Sequence, residues 1–247
     1  MKVLQATILL VVSALAVGSS ALLQADMIDY AEDFESAQAV TDWGSTYVVD
    51  DGSGSNHVLR AGATQNWDIP SVDASEGVVR VSVDLLAHGL DGSEWRYVYF
   101  GNSTSFADSN AYFGLRMSGS SAKFTWKDGD GTGGTITDYY STSDAANDAW
   151  YTFLADVYLT GPKANTWDVQ IFDASGTSIA SATNLGFRTD GAAIDHLGYS
   201  FSGGAGDFIQ VDNLSIRTIP EPATLALMVF GGLCLAMAMR RRHWHIG

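Results

Sequence analysis

Three groups of side chains in this 247-residue sequence have types and spacings that suit chemistry. The first is Pro220, Glu221 and Pro222. Each proline lacks an N–H and biases its predecessor toward extended geometry, so the triplet continues neither a strand nor a helix. It offers a processing enzyme an exposed, extended tripeptide. The second group is aromatic. If Val98 and Phe100 face a core, Trp95, Tyr97 and Tyr99 face the other way. If Phe113, Leu115 and Met117 face the core, Tyr112 and Arg116 do the same on the next segment. Flat rings beside polar groups suit sugars, whose C–H faces stack on aromatics while their hydroxyls need hydrogen bonds. The alternative is that both faces are buried, or that the tyrosines are cross-strand packing pairs. The third group is Lys127-Asp128-Gly129-Asp130-Gly131-Thr132-Gly133-Gly134. Its Asp-x-Asp spacing suits a cation loop, but the twelfth position from Asp128 is Tyr139 where an EF-hand needs Glu. A polar glycine-rich connection between strands is the plainer expectation.

Catalytic patterns do not emerge. A retaining glycosidase needs two carboxyls about 5–5.5 Å apart. The candidate glutamates are Glu32, Glu35, Glu76 and Glu94, and only the first two could share a strand. His57, His88 and His196 stand apart, with no Gly-x-Ser-x-Gly elbow and no His-Glu-x-x-His helix. The sequence does not point to an enzyme.

What surrounds the Pro-Glu-Pro triplet gives it direction. Residues 223–239 carry no charge, and as a helix would span about 26 Å, at the short end of the transmembrane range. Arg240, Arg241 and Arg242 follow as a stop-transfer cluster that stays cytoplasmic. At the other end, Lys2 precedes an apolar stretch over 3–17 and small residues suited to cleavage, with Ala25 the favoured site. A retained N-terminal helix is the alternative. The chain divides into a signal peptide (1–25), an exported domain (26–217) and a C-terminal sorting segment (218–247). Triplet, apolar run and arginines, in that order, resemble the PEP-CTERM sorting signal of Gram-negative bacteria. The resemblance implies recognition by exosortase, a membrane-embedded protease. It also implies a transient stay in the inner membrane, then delivery to the cell surface or extracellular matrix. The tail departs from the usual pattern in having His243 to Gly247 after the arginines.

The cargo is acidic. Residues 26–217 hold 27 acidic and nine basic side chains, a formal charge of −18. That disfavours a nucleic-acid partner, since a phosphate backbone selects basic patches. The single cysteine, Cys234, lies in the apolar tail, so the domain has no disulfide and must be held by its core. Short alternating segments separated by Gly, Asp, Ser and Asn predict strands over 32–35, 78–85, 95–100, 111–117, 122–127, 150–158, 166–172, 196–201 and 208–216. Weaker ones fall at 58–61, 136–140 and 179–182, and no interior stretch predicts a helix. About a dozen strands exceed one open sheet, so an all-β sandwich of two stacked sheets is expected.

Asp33-Phe34-Glu35, Asn56 to Arg60, Trp150 to Phe153 and Val211-Asp212-Asn213-Leu214-Ser215-Ile216 resemble the jelly-roll domains of concanavalin-type and laminin-G-like modules. In that group the first and last strands lie side by side. The resemblance also implies a structural Ca²⁺ at matching positions, here Glu35 and Asp212, because calcium takes six to eight oxygens. The expectation is a non-catalytic surface or matrix protein that contacts polysaccharide. The alternatives are a polysaccharide-active hydrolase or accessory module, and a purely structural adhesin.

Overall fold

Val79, Val81, Val83 and Leu85 alternate with Arg80, Ser82 and Asp84, and all four apolar side chains are fully buried. That period of two recurs through the chain and builds its architecture. The computed structural model describes residues 29–219 except 45, 52, 74–76, 103–108, 119, 131–135 and 189–192. The expected signal peptide, Pro220, Glu221, Pro222, the apolar run over 223–239 and Arg240, Arg241 and Arg242 lie outside the described residues. Among those described, no helix is long and apolar enough to cross a membrane.

The described elements are β1 (Asp29–Glu32), α1 (Ala37–Trp43), β2 (Val48–Asp50), β3 (His57–Ala61), β4 (Gln65–Asp73), β5 (Val78–His88), β6 (Trp95–Gly101) and β7 (Ser109–Ser118). There follow β8 (Ser121–Gly129), β9 (Ile136–Ala145), β10 (Trp150–Tyr158), β11 (Thr166–Phe172), β12 (Ser178–Gly186), β13 (Ala193–Ser202) and β14 (Phe208–Ile219). Two antiparallel sheets result. One has eight strands in the order β12-β11-β10-β5-β14-β3-β2, with β1 also paired to β14; the other has six, β4-β13-β6-β7-β8-β9. This is the all-β two-sheet sandwich that the alternation implied, with the jelly-roll form that the resemblance implied. The first and last strands do lie side by side, Asp29 opposite Arg217 and Glu32 opposite Leu214.

The core sits between the sheets and is built from aromatic contacts across the gap. Phe113 of β7 stacks on Phe153 of β10 at 5.1 Å, and Phe124 of β8 meets Tyr151 edge-on at 4.8 Å. With no disulfide, such buried rings, each worth roughly 3–5 kcal/mol against Ala, carry the fold.

Three local features depart from the expectations. The strand expected over 32–35 ends at Glu32, because Phe34 takes a left-handed φ of 59° while its N–H bonds Glu32 Oε1 at 2.8 Å. A helix follows where none was expected. Ser36 Oγ caps it by accepting the Ala39 N–H at 2.9 Å, and its Trp43 packs edge-on against Phe34 at 5.3 Å. Two strands, β2 and β4, were not foreseen; β2 has only three residues, and β4 carries Pro70, a residue that weakens a strand reading from sequence.

Candidate functional site

The face of the six-stranded sheet turned away from the core gathers the aromatic residues singled out above. Register places Trp95 opposite Arg116, Tyr97 opposite Gly114 and Tyr99 opposite Tyr112 between β6 and β7. It continues across β8 and β9, Arg116 opposite Lys123 and then Asp144, Gly114 opposite Thr125 and then Tyr140. All five expected residues thus lie on one face. They differ in access. Tyr97, Tyr99 and Tyr112 are only 1–3% exposed and form a small aromatic cluster of their own, with Trp95 packed beside it. Tyr97 and Tyr112 rings stand 4.7 Å apart, and Lys127 lies over both, its Nζ 5.3 and 4.8 Å from their centroids. Burial pushes the Tyr99 hydroxyl pKa up. These three tyrosines are therefore cross-strand packing pairs, the alternative that period-two patterning left open.

The accessible part lies beside them. Trp95 and Arg116 are half-buried, and Tyr140 is exposed. The Arg116 guanidinium stands 5.8 Å from the Trp95 ring and 5.8 Å from the Tyr140 ring. Each distance lies within cation–π range. Trp95 Nε1–H points to Ser200 Oγ at 3.4 Å, fixing the indole edge against β13. Lys123, next to Arg116, is held by Asp144 and the Thr142 carbonyl. The result is a shallow ridge of ring, guanidinium and ring over a bed of packed tyrosines. Sequence reasoning missed Tyr140. Its signal was the Tyr139-Tyr140 doublet, in which alternation sends one ring to each face.

Glu35 and Asp212 occupy the other sheet's side of the molecule. Glu35 gives both carboxylate oxygens to His57, Oε1 to its backbone N–H at 2.6 Å and Oε2 to Nδ1 at 3.2 Å. Asp212 is buried on β14, directly opposite Asp84 of β5. Its oxygens accept the Asn213 N–H at 2.7 Å and Asn56 Nδ2–H at 3.3 Å. Burial pushes the Asp212 carboxyl above the usual range, and the charges of Asp84 and Glu35 push the same way. Glu35 thus stands within electrostatic reach of Asp212, yet each carboxylate is committed to local donors. Among the described residues no three His, Cys, Asp or Glu side chains surround a common metal position.

The described residues among the remaining candidates make local contacts. Asp128 Oδ1 accepts the Gly186 N–H at 2.6 Å, tying β8 to the end of β12, while residues 131–135 of that loop lie outside the described set. His88 bonds Asp148 at 2.5 Å and stacks on Phe208, and His196 lies between Asp68 and Asp195.

No curated protein matches the chain in sequence. Solved structures do match the sandwich. Alginate lyase Aly36B covers 77% of this chain with 97% of its own, at 15% identity and a TM-score of 0.48. The PL-14 alginate lyase of Aplysia kurodai covers 79% with 91% of its own, at 12% identity and 0.48. The CBM2 module of the evolved Dit of Lactobacillus casei BL23 phage J-1 covers 79% with 99% of its own, at 9% identity and 0.50. At such identities the likeness is one of fold. The tail is more specific, because residues 218–242 match the PEP-CTERM protein-sorting motif. That motif implies export, transient membrane anchoring and processing by exosortase. The chain is a jelly-roll sandwich that carries a PEP-CTERM sorting signal.

Proposed function

We propose that this is a cell-surface or extracellular-matrix protein of a Gram-negative bacterium whose sandwich binds polysaccharide without cleaving it. The ridge of Trp95, Arg116 and Tyr140 makes the contact. The observation that carries the reading is the guanidinium of Arg116 held 5.8 Å from each of two accessible rings on one sheet face. Rings offer π-faces to sugar C–H groups, and the guanidinium offers donors to hydroxyl or carboxylate oxygens between them. The buried Tyr97, Tyr99 and Tyr112 support the ridge by fixing β6 against β7. They are not contact residues in this reading.

The test is titration of the purified protein with a panel of bacterial polysaccharides, followed by tryptophan fluorescence. Loss of one ring from an aromatic contact is worth about 0.5–1.5 kcal/mol, roughly a two- to tenfold weakening. Trp95→Ala and Tyr140→Ala should each show it, and Tyr97→Phe should not. Binding that ignores both ring deletions would remove the ridge from the proposal. Absence of binding across the panel would leave a purely structural role.

A further inference from the structure

The sorting motif begins inside the folded sandwich. Thr218 and Ile219, its first two residues, are the last two of β14, opposite Val79 and Val78 of β5. Thr218 is only 6% exposed. β14 pairs with β5 to its last residue, and β3 and then β1 flank its other side over Ile209–Val211 and Leu214–Arg217. A strand held in the sheet therefore leads straight into Pro220. Only residues 220–224 separate Ile219 from Leu225, where the unbroken apolar run starts. Five fully extended residues reach at most about 17 Å. The headgroup layer of one leaflet takes up about 5–7 Å of that reach, the difference between whole-bilayer and hydrocarbon thickness shared over two sides.

The antiparallel pairing of β1 with β14 sets Asp29 against Arg217, so the chain enters the sandwich at the end where it leaves. That end also carries the turn after Tyr158, with Lys163, because Val78 pairs with both Tyr158 and Ile219. At the opposite end, β14 starts at Phe208 against His88, and the following turn through Ser93 leads to Trp95. The 12 residues of β14 separate the two ends by about 37 Å at roughly 3.4 Å per residue.

We infer that the anchored protein sits end-on against the membrane. The end bearing Ile219 and Lys163 faces the lipid headgroups, and the end bearing Trp95 and Arg116 points away. The inference rests on the anchoring that the sorting motif implies. Its partner is the headgroup surface itself, chosen by tether length. The consequence is functional: the ridge is presented outward before processing, so ligand contact does not wait for release.

The experiment uses the full chain with Cys234→Ser, reconstituted in phosphatidylcholine vesicles that carry a headgroup-attached quencher. Single cysteines, Lys163→Cys in one protein and Ser93→Cys in another, take a fluorescent label; both native side chains are exposed. Quenching at least threefold stronger at position 163 than at 93 is expected. A ten-residue Gly-Ser spacer after Ile219, with a mean span of about 17 Å, should erase that difference. Equal quenching in the vesicle-bound protein, or a difference that the spacer leaves intact, overturns the end-on geometry alone. A chain that fails to sediment with the vesicles overturns the anchoring as well.

Discussion

Arg96 is the side chain whose removal should cost most for its size. It lies on β6 with its side chain fully buried, and its guanidinium sits 4.1 Å from the Phe201 ring centroid. Nη2 meets Glu94 at 3.2 Å and Asp207 at 3.3 Å, and Nη1 donates to the Trp95 carbonyl at 3.0 Å and to the Ser202 carbonyl. Burial pulls the guanidinium pKa down, while the neighbouring acids push it back up. Arg96→Met keeps much of the volume but leaves two carboxylates, 18–19% exposed, facing each other without their cation. Breaking such a pair from one side costs about 3–5 kcal/mol, a large part of a typical 5–15 kcal/mol of total stability. Urea unfolding followed by tryptophan fluorescence measures the loss. If Arg96→Met does not fold, Arg96→Met with Glu94→Gln and Asp207→Asn should recover most of the stability, because no unpaired charge remains. A deficit below 1 kcal/mol, or a triple variant no more stable than Arg96→Met alone, would refute the reasoning.

Asp212 should behave in the opposite sense. Its carboxyl is raised by burial above the ordinary 3.8, so the folded state holds the proton more tightly. Stability is therefore lost as pH rises from the unfolded value through the raised folded one. Asp212→Asn is expected to stabilise the fold at pH 7 and to lose that advantage at pH 3, read from urea midpoints. Calcium is tested on the same pair: an ion held by Glu35 and Asp212 would add about 2.7 kcal/mol at a hundredfold excess over its Kd, and Asp212→Asn would abolish the rise in Tm. No change in Tm on adding Ca²⁺ would end that proposal. Gly198→Ala is a probe of the tyrosine bed, since a Cβ there would run into the Tyr99 ring. It should cost about 1–3 kcal/mol, and Tyr99→Leu in the same chain should return part of it.

Much of the fold was legible because its signals are local. The strands over 150–158 and 166–172 appear with the expected bounds, since Phe153, Ala155 and Val157, and then Val169 and Ile171, alternate without interruption. Other strands were longer than expected. Polar ends such as Ser143-Asp144-Ala145 of β9 carry no alternation, and only pairing with β8 extends them. At β14 the alternation misleads. Asn213, at a φ of 49°, sits in a bulge between Asp212 and Ser215. The bulge lets Val211, Leu214 and Ile216 all reach the core, a spacing that period two does not predict. The candidate site was half legible. Trp95 and Arg116 share a face as spacing required, but Tyr140 joins them from two strands away.

By itself the sequence determined the class of the domain, its freedom from disulfides and the sorting tail. Each is written in neighbouring residues: alternation chooses a strand's two faces, one cysteine forms no pair, and Pro220-Glu221-Pro222 is a linear signal. Only the tertiary structure decided which aromatic faces stay accessible. Alternation names the face a side chain takes, but not what the adjoining strands lay over it. Tyr97, Tyr99 and Tyr112 are covered by one another, with Lys127 over Tyr97 and Tyr112, whereas Trp95 and Tyr140 are left more open on either side of Arg116. Cover is a property of register between strands distant in sequence. The same pairing locks Thr218 and Ile219 into the sandwich and fixes where the tail begins.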